Sequence, residues 1–240
     1  MNDAATDRAA MLATLLRERR SVRGYLSRPV SDDVLASVFS MAQCAPSGCN
    51  AQPWQVHVAS GDAANGLREA LHGAAATGCD LDVDFPLTGP YPAGVFRQRQ
   101  IGAAVALFEA TRVARDDRDA RTQSMLRNFR FFEAPHVAFL FLPDWARDRE
   151  IFDCGLYAQS LMLALTAYGI ASCPQASLGY YADIIRQQLD IEGDMRLLLG
   201  ISFGYADTTH PANRVRTERA HISEAVEIHT QPSNAIRQAR

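Results

Sequence analysis

Pro46-Ser47-Gly48-Cys49-Asn50-Ala51-Gln52-Pro53-Trp54 joins a helical pattern to an apolar strand pattern. Two prolines restrict the backbone at either end and Gly48 frees it in the middle, so the run is a shaped loop rather than a generic connection. Ser47, Asn50 and Gln52 supply neutral donors and acceptors, and Trp54 supplies a large planar surface. Such a loop suits an uncharged heteroaromatic ring that takes hydrogen bonds at its edge.

The flanking segments set this loop in a folded frame. Upstream, Ser31 is a good N-cap, and Asp32 and Asp33 favour the positive end of a helix dipole. Val34, Leu35, Val38, Met41 and Ala42 then form an apolar stripe that stops near Ala45-Pro46. Downstream, residues 54–59 alternate enough to predict a strand, with Val56 and Val58 opposite Gln55 and His57. His57 has no visible partner and is read as a strand histidine, not a base. Cys49 lacks an adjacent histidine and is read as a small packing residue rather than a nucleophile.

Towards the N-terminus, Leu12, Leu15, Leu16 and Arg19 share one face of a helix over residues 6–18, capped by Thr6 or Asp7. It runs into Arg19-Arg20-Ser21-Val22-Arg23-Gly24, where Gly24 interrupts it. Three guanidiniums and a hydroxyl match phosphate oxygens, because arginine presents a planar fork of donors. Taken alone, the same run is as readily a solvated basic turn.

Towards the C-terminus, residues 65–76 predict a helix. Residues 78–94 form a Pro-rich excursion in which Asp80, Asp82 and Asp84 alternate with apolar residues. The spacing lacks the glycine and distal glutamate of a calcium loop, so a surface excursion or a lid over a pocket is expected. Residues 99–115 and 120–132 predict two helices, the second ended by Ala134-Pro135. The run from His136 to Leu142 predicts a central strand buried on both faces. Residues 151–168 are apolar around most of a helical circumference, which places them in the core or a subunit interface, with Gly169 as a left-handed terminator. Residues 170–177 predict a short strand and loop, 181–189 a helix and 195–203 a last strand. The tail, residues 206–240, has no period long enough to make its own core, though Ile222, Val226 and Ile228 alternate in a way that favours wrapping onto another surface.

Bulk properties narrow the function classes. A net charge of −3 and a pI near 6.1 lack the positive excess that non-specific nucleic-acid binding needs. No apolar run approaches the ~20 residues that span a bilayer. The five cysteines are odd in number and lack metal-ligand spacing, which favours reduced thiols and a cytoplasmic location. No Gly-x-Gly-x-x-Gly or Gly-x-x-x-x-Gly-Lys turn is present, so neither a Rossmann nor a P-loop site is expected. Arg19–Arg23 and Arg214–Arg216 are then two basic clusters for a phosphate, and residues 46–52 a cradle for a ring. Composition and spacing reach a site for something phosphorylated and planar.

At these residues the chain strongly resembles the FMN-dependent nitroreductase family. Arg19-Arg20-Ser21-Val22-Arg23 matches its N-terminal phosphate motif, and residues 46–54 match its Pro-Ser-x-x-Asn-x-Gln-Pro-Trp loop. Cys173-Pro174-Gln175-Ala176, Leu199-Gly200-Ile201-Ser202-Phe203-Gly204-Tyr205 and the Arg-x-Arg tail follow in the family's order. The resemblance implies an α+β three-layer sandwich, a mostly antiparallel sheet flanked by helices, with residues 1–205 as the FMN-binding core. Residues 206–240 become an extension of the same domain that is exchanged with the partner of a homodimer.

The resemblance also implies roles for single residues. Arg19, Arg20, Ser21 and Arg23 hold the FMN phosphate and ribityl chain, joined by Arg216 and by Asn213 or Arg214. Pro46, Ser47, Gly48, Asn50 and Gln52 meet the isoalloxazine from the other subunit. Pro174, Gln175 and Ala176 stand where many relatives carry a Glu-Gly pair whose backbone N–H approaches the reactive flavin nitrogen. Asn128 and Arg130 lie near the family's Asn/Lys flavin contacts. The implied activity is ping-pong reduction of nitroaromatic compounds to hydroxylamines at the expense of NAD(P)H, without a metal and without a catalytic side chain, since FMN carries the chemistry. A quinone or flavin reductase, an ene-reductase, a dehalogenase and a non-catalytic flavin-binding protein are the alternatives.

Overall fold

The computed structural model describes residues 3–86 and 89–230. Its centre is the apolar run, which forms β2 (His136–Pro143) between β1 (Gln55–Ser60) and β4 (Met195–Gly204). With β3 (Ala171–Gln175) outside β4, the sheet order is β1-β2-β4-β3, and every pairing is antiparallel.

Strand side chains alternate between faces, and β2 divides its residues between two cores accordingly. Val137, Phe139 and Phe141 pack with Leu67 and Leu71 of α3 (Gly61–Thr77) and with Ile185 of α7 (Ala182–Leu189). Ala138, Leu140 and Leu142 pack with Val38 of α2 (Asp32–Ala42) and with Leu161 and Leu165 of α6 (Asp148–Ala167). Helices on both faces explain why β2 reads as continuously apolar. The expected helix–sheet–helix sandwich is present.

α6 is the longest helix. The Glu150 carboxylate accepts from the Arg147 backbone N–H at 2.7 Å at its start. It ends at Gly169, whose φ of +70° is the left-handed conformation that glycine adopts without strain. The Ile170 N–H then returns to the Leu165 carbonyl at 2.9 Å, closing the last turn.

Three expected elements differ from their predicted bounds by four residues or more. α3 begins at Gly61, four residues before its predicted start. α4 (Val95–Thr111) lies four residues earlier than its composition suggested, started after Gly94 and stopped by Arg112 in the left-handed region. α4 buries none of its residues in this chain, although Phe96, Ile101 and Val105 are apolar. The predicted helix over residues 120–132 divides into α5 (Arg118–Leu126) and a tight turn, Arg127–Glu133.

Within that turn Phe131, Phe132 and Glu133 all have positive φ. A regular helix would place adjacent phenylalanines about 100° apart around its axis. The left-handed run buries both rings, with Phe131 edge-on to Phe139 at 6.2 Å. Arg68 donates to the Arg130 and Ala134 carbonyls at 3.1 and 2.8 Å, pairing backbone groups that a helix would have satisfied. Burial of two aromatic side chains, about 1.5–3 kcal/mol each, is of the same size as left-handed strain of about 1–2 kcal/mol at each of three residues, and the Arg68 hydrogen bonds add to the burial side.

The tail adds no strand among the described residues. It makes short turns at Pro211–Arg214 and Ile222–Glu224, and Ile222, Val226 and Ile228 remain exposed. The last ten residues of the expected exchanged extension lie outside the described residues.

His136, at the start of β2, ties the sheet to the segment before α2. Its Nε2 accepts from the Val30 N–H at 2.8 Å, so the neutral ring carries its proton on Nδ1, which faces Ser60 Oγ. Burial lowers its pKa, against a smaller upward pull from Asp32. Protonation would direct an N–H at the Val30 N–H. A folded pKa below the unfolded value means that the unfolded chain binds the proton first. Full stability is therefore expected above about pH 6.5, declining as pH falls through the folded pKa. Burial lowers His57 and His210 in the same direction, so His136→Gln should reduce the acid slope without abolishing it. Unfolding midpoints between pH 7.5 and 5, compared between wild type and variant, measure this.

Candidate functional site

The two arginine clusters share one cleft of about 380 Å³, lined by Arg19, Arg20, Ser21, Arg23, Arg216 and Arg219 among others. No carboxylate lines it, and among the described residues none of these arginines forms a salt bridge. Arg20 and Arg216 both donate to one acceptor, the Asn213 carbonyl. Burial, and Arg216 alongside, lower the pKa of the Arg20 guanidinium. Like charges gathered without a counter-charge are what an anionic ligand requires. Arg214 is exposed and does not line this cleft.

Asn213 organises this region from beneath. Its buried side chain accepts from the Arg23 N–H at 2.8 Å and donates to the Gly24 and Asp207 carbonyls at 2.7 and 2.8 Å. Those bonds occupy the side chain, so Asn213 fixes the arginine turn while its carbonyl gathers Arg20 and Arg216. Gly24 is required by close approach, since a Cβ there would lie 2.3 Å from the His210 ring. Arg127, absent from the sequence-derived set, donates to the Arg23 carbonyl at 2.9 Å.

The same turn lies along the edge strand β3. The Val22 N–H donates to the Ser172 carbonyl at 3.0 Å, and Ser21 bridges to Ser172. Two and four residues beyond Ser172, about 7 and 13 Å further on, Pro174 and Ala176 present exposed surface. Gln175 between them turns inward. Its amide donates to the Asn128 carbonyl at 2.9 Å, and its oxygen accepts from Ser202 Oγ. Gln175 therefore links Asn128 to the sheet, and Asn128 itself donates to the Met125 carbonyl at 2.9 Å. Arg130 pairs with Glu133 at 2.8 Å, and that hydrogen bond raises its pKa.

Residues 46–52 form the expected shaped loop. Cys49, Asn50 and Gln52 have φ of 51°, 57° and 49°, so three non-glycine residues occupy the left-handed region. Such strain clusters at functional loops and persists only where surroundings hold it. Here Ser47 Oγ accepts from the Gln52 N–H at 2.9 Å, and the buried Asp153 carboxylate accepts from the Gly48 N–H at 3.0 Å. The Gln43 amide donates to Gln52 Oε1 at 2.9 Å, while its oxygen accepts from the Trp54 indole at 3.0 Å. Pro46, Gly48, Asn50 and Gln52 are exposed and Ser47 half-buried.

Two expectations for the loop are corrected. Trp54 offers no free face to a ligand, because its indole is buried against Tyr157 with centroids 4.9 Å apart. Cys49 is exposed and packs into no core of this chain. Asp153 and Gln43, which frame the loop, were missed because the signal that finds them is spatial. Asp153 precedes an apolar helical stripe and reads locally as a charge favourable to the helix dipole.

The arginine cleft and the loop lie at opposite ends of α6. Asp153 in its first turns holds the loop, whereas Thr166 in its last turn lines a cleft with Arg19, Arg20 and Arg216. Thirteen residues of helix separate them, about 20 Å at 1.5 Å per residue. The chain thus brings Arg19, Arg20, Ser21, Arg23, Asn213 and Arg216 together, with the end of β3 and Asn128 alongside. It does not bring residues 46–52 to them.

Among the described residues, no group of His, Cys, Asp and Glu could hold a metal, and no helix is long and apolar enough to cross a membrane. Two aspartates of the excursion, Asp82 and Asp84, serve as partners for Arg186, together with Asp183 of α7.

Residues 16–205 match the Nitroreductase family. The chain is 44% identical over 218 residues to nitroreductase NfnB of Mycolicibacterium smegmatis, covering 91% of this chain and 92% of the relative. It is 32% identical to the nitrobenzene nitroreductase of Ectopseudomonas oleovorans, covering 88% and 93%. Among solved structures, the FMN-dependent nitroreductase NfnB from Mycobacterium smegmatis in complex with NADPH superposes with a TM-score of 0.88 at 43% identity, covering 92% of this chain and 99% of that one. With an uncompensated arginine cleft, a strained polar loop and this match over most of its length, the chain belongs to the nitroreductase family.

Proposed function

We propose that this protein is an FMN-dependent NAD(P)H oxidoreductase that reduces nitroaromatic compounds to hydroxylamines, acting as a homodimer with each FMN held between two subunits. The observation that carries the shared site is the separation of about 20 Å along α6 between the arginine cleft and the loop. A second copy brings the loop of one subunit to the arginines of the other. Exposed apolar residues on two helices, Met11 and Leu12 of α1 (Asp3–Glu18) and Phe96, Ile101 and Val105 of α4, supply surface for such a partner. Residues 206–240 are the segment proposed to wrap onto it. The five unpaired cysteines favour the cytoplasm.

The chain fits FMN through its own groups. Arg19, Arg20, Arg23 and Arg216 offer charged donors to the phosphate, and Ser21 a hydroxyl, in a cleft that lacks carboxylates. Arg214, exposed and outside the lining of the cleft, contributes only positive field, and Asn213 acts by holding the turn. Pro174, Ala176, Asn128 and Arg130 border the ring from this subunit, with Gln175 fixing Asn128. Pro46, Ser47, Gly48, Asn50 and Gln52 approach it from the partner. Bound FMN supplies the redox chemistry, taking a hydride from NAD(P)H and passing electrons to the acceptor in alternate half-reactions. The residues bind and orient; none is assigned as general acid or base.

Purified protein is expected to be a yellow dimer with one FMN per chain, turning over nitroarenes with NADH or NADPH. Turnover of quinones with none of nitroarenes would overturn the substrate assignment. Arg20→Ala removes a charge-assisted contact of about 1.5–3 kcal/mol and should weaken FMN binding roughly ten- to hundredfold, read by flavin fluorescence titration. Asp153→Ala leaves the Gly48 N–H unpaired, and hydrogen exchange at Gly48 should quicken by a comparable factor. A shared site also predicts complementation. Arg20→Ala and Gln52→Ala, each impaired alone, should regain activity when exchanged into mixed dimers, because one of the two sites then carries neither change. No recovery in verified mixed dimers would place both residues in the same site of one chain.

A further inference from the structure

We propose that Phe132 and Arg127 are positioning residues of the arginine cleft: together they hold the Arg23 guanidinium where a phosphate meets it, an assignment that rests on the FMN reading above. Neither residue lines the cleft, so each acts through Arg23, which does.

Local sequence does not bring the two side chains together. Arg127 and Phe132 are five residues apart, about 140° around a helix at 100° per residue, so a continued α5 would direct them to different sides. The left-handed backbone at Phe131, Phe132 and Glu133 breaks that progression. The buried Phe132 ring then lies with its centroid 5.7 Å from Arg127 Cζ and 5.9 Å from Arg23 Cζ, both within reach of a cation–π attraction. Phe131 beside it takes the Arg68 guanidinium in the same manner, at 5.6 Å.

Arg23 is held at three points. Its N–H donates to the Asn213 side chain at 2.8 Å, its carbonyl accepts from Arg127 at 2.9 Å, and its guanidinium lies over Phe132. The first two contacts fix the backbone from which the side chain projects. The ring restricts the side chain itself, whose rotamer freedom would otherwise oppose binding.

A carboxylate could anchor Arg23 as well, but it would neutralise the charge. An aromatic face attracts a cation through its quadrupole and leaves that charge in place for an anion. Among the described residues neither Arg23 nor Arg127 forms a salt bridge. Burial lowers the pKa of the Arg127 guanidinium more than Glu133 raises it, which marks a cation kept beneath the turn at a cost. The strained turn thus has a use beyond the burial of two rings: it delivers one of them to the arginine cleft.

The test titrates full-chain wild type, Phe132→Leu and Arg127→Met with FMN and with riboflavin, which lacks the phosphate, by flavin fluorescence. Loss of the ring face or of the guanidinium should weaken FMN binding about three- to tenfold and riboflavin binding less than twofold. In an Arg23→Ala background the same two substitutions should change FMN affinity less than twofold, because the group they position is gone. Equal weakening of FMN and riboflavin would mean a purely structural role, and a loss that persists in Arg23→Ala a through-space effect of the Arg127 charge. Either result overturns the inference, as does an FMN affinity within twofold of wild type, and all three leave the FMN reading intact. Should Phe132→Leu fail to fold, Arg127→Met, at a half-buried position, decides by the same cycle. A wild type that binds no FMN, or binds riboflavin as tightly, overturns the phosphate assignment and this inference with it.

Discussion

A buried helix cannot be shortened or bent cheaply, and α6 imposes that constraint on the whole molecule. Its apolar residues pack against the inner face of β2 and its neighbours, with Leu161 and Leu165 fully enclosed. The chain features at its two ends therefore stay about 20 Å apart. The first turns hold the loop by the Asp153 carboxylate, and the last turn abuts the arginine cleft. Each half is complete in local structure, and in the proposed function each is one half of a shared site. The loop shows unused polar groups, and the cleft shows positive charge without a partner.

Among the described residues, neither half is held together by an ion pair. The arginine turn is held by neutral amide bonds from Asn213 and by the close approach of Gly24 to His210. The loop is held by Gln43, Ser47 and Asp153. This separation of framework from ligand-binding groups matters physically, because guanidiniums that were also structural would be neutralised before a phosphate arrived. Left-handed residues at 49, 50 and 52 carry backbone strain that the surrounding hydrogen bonds offset.

The same chemistry that made some features legible concealed others. Arg19–Arg23 and residues 46–52 were readable because arginine forks and a Pro-bracketed amide loop carry their meaning in a few adjacent residues. β2 was readable because burial on both faces leaves an unbroken apolar run. The helix expected through Phe132 failed because propensity favours helix there, whereas burial of Phe131 and Phe132 together requires left-handed backbone. Trp54 looked like a free platform until Tyr157, more than a hundred residues away in sequence, covered it. Asp82 and Asp84 looked like a carboxylate cluster until Arg186 and the Leu197 N–H were placed against them.

By itself the sequence determined the elements, their order and the two chemical ingredients of the site, since periodicity and local side-chain chemistry act over a few residues. The tertiary structure alone decided that those ingredients stand at opposite ends of one helix. It also decided that Asn213 and Asp153 are the groups holding them, and that Asp82 and Asp84 of the excursion lie against Arg186. Those facts depend on distances between residues far apart in the chain, which closure of the two cores around β2 establishes and no local pattern encodes.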